Sequence, residues 1–178
     1  MNKYLTTSVL ATALFSSSVF ADSNFYLGAS VGQSEVDYGE GQSFVTDDKD
    51  TSLEIFGGYK FSENLAVELA YQDFGENTAF FSGDTLIADG YAFSLSLVGA
   101  LPVNEKLSVY GKLGVAHAEA DANGQNTFIR SSVSDDDFLY GVGLTYGLTE
   151  SVDLRFEWEH IDTFYEVDTL SLGVSYNF

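Results

Sequence analysis

The sequence predicts an all-β protein, an eight-stranded antiparallel up-and-down transmembrane β-barrel, and three observations lead to this fold class. Apolar residues alternate with small or polar ones in eight separate runs after residue 21. Short and long connections between these runs alternate along the chain. No apolar stretch after residue 21 approaches the length of a spanning helix, so any membrane crossing must use strands.

Each run has the period of two that is typical of a β-strand. In the last run, Leu170, Leu172 and Val174 point to one side, whereas Ser171 and Gly173 point to the other. Such a strand would be an exposed sticky edge in an open sheet, but it has a partner if it closes a barrel against the first strand. In chain order the runs are NFYLGASVGQSEV, DTSLEIFGGYKF, LAVELAYQDF, GYAFSLSLVGAL, KLSVYGKLGVAHAE, FLYGVGLTYGL, VDLRFEWEHI and LSLGVSYNF.

The connections fall into two kinds. Tight turns are predicted at residues 62–64, 102–106 and 149–151. Long polar loops are predicted at about 37–50, 75–89 and 121–137, with a shorter one near 162–168. This alternation places all the short turns at one end of the sheet, which is typical of outer-membrane barrels with short periplasmic turns and longer external loops.

A soluble lipocalin-like barrel or β-sandwich is the alternative, and two features disfavour it. Gly, Ser, Ala and Thr dominate the polar face, and such small residues fit the narrow interior of an eight-stranded barrel. Aromatic residues on the apolar face gather near the strand ends, as in the belts at the two membrane–water boundaries. They are Phe25, Tyr59, Phe61, Tyr71, Tyr91, Phe93, Phe138, Tyr140, Tyr176 and Phe178.

The amino terminus, residues 1–21, reads as a signal peptide. Lys3 precedes an apolar and small-residue run that closes on Val19-Phe20-Ala21, so we expect cleavage after Ala21. An ordinary amino-terminal helix is disfavoured because the segment has no acidic residue and no amphipathic period. The predicted domains are therefore a signal peptide at 1–21 and one barrel at 22–178, exported to the outer membrane of a Gram-negative-type envelope.

The composition excludes several classes of function. The formal net charge of −20 would repel nucleic acid. The chain has no Cys, so it has no disulfide framework and no thiol chemistry. No serine lies in a nucleophile motif, and no set of residues has the spacing of metal ligands. We therefore expect no catalytic residues, no metal site and no cofactor.

Four stretches resemble the transmembrane domain of the OmpA family: LEIFGGYKFSENLAVELAYQDFG, LSVYGKLG, LTYGLTESVDLRFEWEH and LSLGVSYNF. The resemblance covers essentially residues 22–178 and implies an eight-stranded outer-membrane barrel with a plugged, polar interior. OmpA proteins usually carry a periplasmic peptidoglycan-binding domain after the barrel. Here the chain stops at Phe178, so cell-wall tethering is not expected to transfer.

The resemblance also implies an interior ion pair between a strand-three carboxylate and a strand-seven arginine, here Glu68 and Arg155. In the family, these groups can instead pair with a lysine on strand four and a carboxylate on strand six. Those positions hold Val98 and Thr145 in this chain. In the family, this exchange of ion-pair partners is proposed to act as a gate. We therefore expect that this chain lacks it.

Strand parity extends the interior charges beyond this pair. Lys112 and Glu157 should lie slightly nearer the loop end, so that Glu68, Arg155, Lys112 and Glu157 form a lumen salt-bridge network. This network reads best as a plug, because buried charges need partners, while an ion path or proton relay is the alternative. The full inward set is Glu54, Lys60, Glu68, Lys112, Asp153, Arg155, Glu157 and Glu159.

Three further groups invite a functional reading. Tyr176 and Phe178 look like the terminal signal that, by resemblance, the outer-membrane assembly machinery reads. His117 and His160 lie near the loop ends of their strands and are interpreted as boundary side chains rather than metal ligands or general bases. The acidic stretches TDDKD (46–50) and SDDD (134–137) could take Ca²⁺ or Mg²⁺, but solvated loops are the simpler interpretation.

The sequence therefore predicts a monomeric outer-membrane barrel, not an enzyme, with a structural or surface-interaction role carried by its external loops. Its expected partners are outer-membrane lipid and lipopolysaccharide, the assembly machinery and surface ligands of the acidic loops. The two alternatives are a narrow porin-like channel and a lipid-modifying outer-membrane enzyme. The enzyme would need a nucleophile and a histidine together at one rim, and the sequence offers no such pair.

Overall fold

The computed structural model describes residues 24–37, 49–81, 84–124, 130–162 and 166–178, so the predicted signal peptide lies outside the described residues. Among these residues, the structure has no helix that is long and apolar enough to cross a membrane. The strands are β1 Phe25–Asp37, β2 Lys49–Lys60, β3 Leu65–Phe81, β4 Asp84–Pro102, β5 Leu107–Gly124, β6 Arg130–Gly147, β7 Val152–Asp162 and β8 Glu166–Asn177.

The eight strands form one closed antiparallel barrel in the order β1 to β8, which confirms the predicted fold class. Neighbouring strands in the chain are neighbours in the sheet, and β8 closes the barrel against β1 from Tyr26↔Asn177 to Asp37↔Glu166. The apolar last strand is therefore not an edge, because both of its sides are paired.

The three predicted tight turns share one local device. Ser62, Asn104 and Thr149 each offer a side-chain oxygen to the backbone N–H three residues later, at Leu65, Leu107 and Val152. This local hydrogen bond satisfies a backbone N–H within the turn itself. It therefore favours a turn over continued strand, and the chain reverses within a few residues. All three turns lie at the end of the barrel that holds Phe25 and Phe178, which we call the turn end.

The predicted loop boundaries at the other end, the loop end, were wrong for residues 75–89 and 121–137. Most of both segments continues as strand, with β3 reaching Phe81 and β6 beginning at Arg130. In β3 the period breaks at a register shift between Asp73 and Glu76, where Gly75 has a φ of 80°. The side chain of Asp73 accepts a hydrogen bond from the Gly75 N–H, and strand pairing then resumes.

The outer face of the barrel is apolar over most of its height, as the alternation predicts. Large apolar side chains such as Leu69, Leu113 and Leu172 are exposed, and Phe25 and Tyr176 are exposed near the strand ends. The side chains of opposite parity point into the lumen, where most are buried and those near the turn end are half-buried. An exterior of this kind needs an apolar surrounding, and a lipid bilayer supplies one.

Candidate functional site: the lumen cluster

Six charged side chains meet in the middle of the lumen. The inward residues of β7 mark the depth within the lumen, since they run from Asp153 at the turn end to Ile161 towards the loop end. Between these two residues lie the six side chains that we call the lumen cluster: Glu54, Glu68, Lys112, Arg155, Glu157 and Glu159.

Arg155 joins two strands across the lumen. Its Nη1 donates to Glu68 Oε2 at 2.7 Å, and its Nη2 donates to Glu157 Oε2 at 2.7 Å. Its guanidinium carbon lies 4.1 Å from the centre of the Phe56 ring, which adds a cation–π contact. The hydroxyl of Tyr26 donates to the same Glu68 oxygen at 2.7 Å. The Glu68 side chain is fully buried, and its carboxylate accepts hydrogen bonds from both Arg155 and Tyr26.

Lys112 is the second cation of the cluster and is also fully buried. Its ammonium donates to Glu157 Oε1 at 2.9 Å, lies 3.5 Å from Glu68 Oε1 and contacts Glu159 Oε2. Tyr110 donates a short hydrogen bond to Glu157 and accepts one from Arg155 Nη2 at 3.1 Å. Glu157 is therefore bound by two cations and a phenol.

The two remaining carboxylates have fewer hydrogen-bond donors and cations around them. Glu159 contacts only the Lys112 ammonium, and Glu54 takes part in none of the hydrogen bonds or ion pairs of the described residues. One oxygen of each of Glu54, Glu157 and Glu159 nevertheless lies within 4.8 Å of the other two. The cluster thus holds four carboxylates and two cations, and its formal charge is negative.

Apolar side chains close the lumen on the loop side of the cluster. Leu139 and Ile161 are almost fully buried and pack in one group with Ala92, Ala116 and Val167. Beside this group, Ser34 and Thr169 share a hydrogen bond of 2.8 Å, and the Gln72 amide donates to the Thr169 hydroxyl at 3.2 Å. Water-exposed ions on this side would have to displace packed side chains to reach the cluster.

On the turn side, the lumen widens into a polar vestibule. A cavity of about 460 Å³ has Tyr26, Tyr110 and Arg155 among its lining residues. Lys60 donates to Asn177 at 2.7 Å, and the Asn177 amide donates to Asp153 at 2.8 Å, so these groups are paired across strands. The inward charges Lys60 and Asp153 therefore lie apart from the lumen cluster, nearer the turns.

The large lumen aromatics each lie against a glycine on a paired strand. A Cβ on Gly28 would meet the Phe56 ring at 2.2 Å, and a Cβ on Gly58 would meet the Tyr26 ring at 2.2 Å. Gly143 has the same relation to Tyr110, at 2.4 Å. Parity predicted that Phe56 and Tyr110 point inward, and their burial confirms it. The pairing with glycine was missed, although an aromatic facing a Gly in neighbouring runs is the signal that could have found it.

The structure brings together all four residues of the predicted network, Glu68, Arg155, Lys112 and Glu157. Val98 pairs with Lys112 in the sheet, so the second cation comes from β5 rather than β4. Whether these contacts act as a plug stays a prediction. Tyr176 points outward with its ring 5.0 Å from that of Phe178, and their reading as an assembly signal also stays a prediction.

The two histidines lie outward, His160 near the loop end of β7 and His117 within β5, which continues to Gly124. His117 is exposed, with Nδ1 2.7 Å from an oxygen of Asp136 and Nε2 3.5 Å from one of Glu119. His160 is buried under rings, 4.9 Å from Tyr140, and its Nδ1 lies 3.1 Å from Asp168 Oδ1. The outward parity agrees with the sequence interpretation, and the position at the membrane boundary stays a prediction, whereas the burial of His160 was not foreseen.

A closed antiparallel barrel with an apolar exterior, aromatic rims and a buried polar lumen defines an integral barrel of the outer-membrane class. Comparison with known proteins agrees, since residues 7–178 match the family "Outer membrane protein beta-barrel domain". The chain belongs to this family, as the resemblance to OmpA proteins led us to expect.

Among curated relatives, outer membrane protein P5 of Haemophilus influenzae is 27% identical over 190 residues, covering 94% of this chain and 53% of that protein. The chain thus spans about half the length of this relative. The attachment invasion locus protein of Yersinia enterocolitica is 25% identical over 181 residues, covering 96% and 98% of the two chains.

Solved structures show the same fold at low identity. Neisserial surface protein A has a TM-score of 0.70 at 19% identity, covering 88% of this chain and 98% of its own. The Ail protein of Yersinia pestis, solved in complex with the heparin analogue sucrose octasulfate, has a TM-score of 0.60 at 22% identity, covering 87% and 99%.

Proposed function

We propose that this outer-membrane barrel acts at the cell surface through its loop end, while the lumen cluster closes the interior and stabilises the wall. The observation that carries this proposal is the filled lumen. Charged side chains from β3, β5 and β7 pair with one another across the lumen, and the apolar group around Leu139 and Ile161 packs above them. Eight strands leave room for side chains and little else, so a steady channel is disfavoured.

The charge of the loop end indicates the kind of surface ligand. Its described side chains include the acids Glu35, Asp73, Glu119, Asp136 and Asp162. The Lys and Arg side chains that the structure describes lie instead in the lumen cluster or at the turn end: Lys60, Lys106, Lys112 and Arg155. A polyanion such as the heparin analogue bound by Ail would be repelled by such a surface. We therefore infer a ligand with a basic surface.

Binding by intact cells tests this proposal, because only the loop end is then accessible. Cells that display the wild-type barrel should bind immobilised polylysine, and this binding should weaken as salt rises. The variant Asp136→Asn/Asp162→Asn should bind less. The matched control is Glu63→Gln/Glu105→Gln, which removes two exposed charges at the turn end and should have no effect.

Two results would contradict the proposal. Stronger binding to immobilised heparin than to polylysine would reverse the inferred ligand class. A loss of polylysine binding in the Glu63→Gln/Glu105→Gln control would mean that the turns, and not the loops, face the outside.

The remaining partners follow from the same placement. The apolar exterior contacts outer-membrane lipid, and the rim at the loop end lies at the level of lipopolysaccharide headgroups.

Assembly is proposed to use the terminal aromatic pair Tyr176 and Phe178, after export by the signal peptide at 1–21 and its cleavage. Since the strand edges are all paired within one chain, the protein is proposed to be a monomer. A catalytic role is not proposed, because the side-chain partners of His117 and His160 among the described residues are carboxylates, and neither histidine pairs with a serine hydroxyl.

A further inference from the structure

The charges of the lumen cluster do not balance. Arg155 and Lys112 between them donate to Glu68 and Glu157, and both of these carboxylates also receive a phenol hydroxyl. Glu159 shares the Lys112 ammonium with Glu157, and Glu54 has no such contact. Four carboxylates thus face two cations, in a layer that the apolar group around Leu139 covers on the loop side. An uncompensated buried charge is costly, so this surplus calls for a positive ligand.

Glu54 gives the second indication of a ligand. Its residue is only 9% exposed, yet the carboxylate accepts no hydrogen bond and makes no ion pair with the described residues. Buried carboxylates are normally supplied with donors. One of its carboxylate oxygens instead lies within 4.8 Å of an oxygen of Glu157 and of an oxygen of Glu159. Three acceptors gathered in this way are the arrangement of ligands around a cation.

We propose that the lumen cluster binds one divalent cation of the size of Ca²⁺ through Glu54, Glu157 and Glu159. Ca²⁺ takes carboxylate oxygens at about 2.3–2.6 Å in a flexible geometry, so oxygens that all lie within 4.8 Å of one another can share one ion. Mg²⁺ demands near-ideal octahedral geometry at about 2.0–2.1 Å and dehydrates reluctantly, so an enclosed set of three carboxylates suits Ca²⁺ better. A single bound Ca²⁺ also neutralises the two surplus carboxylates, which would otherwise take two protons.

Lys112 is expected to lower the affinity of this site for the cation. Its ammonium already contacts Glu157 and Glu159, so it competes with the ion for the same oxygens. Glu68, 3.5 Å from the ammonium, offers an alternative partner on the opposite wall. Binding of Ca²⁺ should therefore push Lys112 towards Glu68, and removal of the ammonium should strengthen binding.

Because the cluster is enclosed, the experiment begins from unfolded protein. The protein is refolded into detergent micelles with either excess Ca²⁺, excess Mg²⁺ or a chelator, and urea unfolding is then followed by the fluorescence of Trp158, the only tryptophan. Tb³⁺ serves as a second probe, since the buried Tyr26 and Tyr110 rings near the cluster can sensitise its emission. The variants are Glu54→Gln and Lys112→Met, with Glu63→Gln in an exposed turn as the matched control.

The proposal expects saturable Ca²⁺ binding by the wild type, with one ion per barrel and a higher urea midpoint than in chelator. Mg²⁺ should shift the midpoint less. Glu54→Gln should weaken binding at least ~10-fold through the loss of one charged ligand, whereas Glu63→Gln should bind as the wild type does. Lys112→Met should bind more tightly, and a requirement of this variant for Ca²⁺ in order to fold would also support the site.

Two results would overturn the proposal. The first is an identical urea midpoint of the wild type in Ca²⁺ and in chelator, with no sensitised Tb³⁺ emission. The second is Ca²⁺ binding that survives Glu54→Gln unchanged, since the ion would then be bound elsewhere, for example at the acidic loop end. Neither result would affect the surface role proposed above, because that role does not depend on an ion in the lumen.

Discussion

Removal of Arg155 should destabilise the barrel more than removal of any exposed cation. The Arg155→Met change keeps the apolar length of the side chain but deletes its hydrogen bonds to Glu68, Glu157 and Tyr110. Glu68 then keeps only the Tyr26 hydroxyl and the Lys112 ammonium at 3.5 Å. Breaking a buried pair typically costs about 3–5 kcal/mol. The Arg155 side chain is 8% exposed, next to the vestibule, so we expect the lower half of this range.

The double variant Glu68→Gln/Arg155→Met separates the pair from simple loss of packing. The glutamine still accepts a hydrogen bond from Tyr26 but no longer carries a charge that lacks its partner. Because an unsatisfied buried group costs about 1–3 kcal/mol, the double variant should recover roughly that amount relative to Arg155→Met alone. Lys106→Met is the control, since it removes one positive charge from an exposed turn.

Urea unfolding in micelles, followed by Trp158 fluorescence, measures the four proteins side by side. The expected order of stability is wild type and Lys106→Met together, then the double variant, then Arg155→Met. If the double variant were the least stable, or if Arg155→Met equalled Lys106→Met, the lumen pair would not contribute as we argue.

The other predictions concern closure, assembly and packing. Folded and boiled samples should migrate differently in a denaturing gel, because a closed barrel resists detergent, and identical migration would argue against the membrane barrel. Deletion of Phe178 should lower the amount in the outer membrane but allow refolding in detergent, since its burial contributes at most ~1.5–3 kcal/mol; wild-type levels in the membrane would refute a role in assembly. Gly143→Val should block or strongly impair refolding, because a Cβ there lies 2.4 Å from the Tyr110 ring and 2.6 Å from the Phe156 carbonyl oxygen; a stable valine variant would show that the wall can move. Purified protein should give no steady conductance in a planar bilayer, and a salt-proportional current would favour the channel.

The strands and their faces could be predicted from the sequence because a period of two is local information. Each residue needs only its neighbours two positions away to assign a face, and the burial of Phe56, Tyr110 and Lys112 agrees with that assignment. The extent of the strands could not be predicted in the same way. Beyond the membrane both faces contact water, so the alternation is lost although hydrogen bonding continues, as it does after the bulge at Gly75.

The contacts within the lumen depend on information that no single strand contains. Parity places Glu54 and Glu159 inside, but their meeting follows from the register of four strands and the tilt of the barrel. The family resemblance supplied the pairing of Glu68 with Arg155, and it supplied nothing for the two remaining carboxylates. For the same reason, parity placed five acids and three cations inside the barrel but could not predict which of them meet.

The lumen cluster also constrains the barrel in a way that its pairwise energies do not express. A slip of one residue in any strand would turn every inward side chain towards lipid. For β7 such a slip would place Arg155, Glu157 and Glu159 on the lipid face, and a charge there costs about 2–4 kcal/mol for a cation near the bilayer centre. The same slip would drive the outward Trp158 and Phe156 into a lumen that is already filled. Each buried charge therefore disfavours alternative registers even where its own ion pair adds little to stability, and β7, with three such residues in alternate positions, is the strand whose register is most strongly specified.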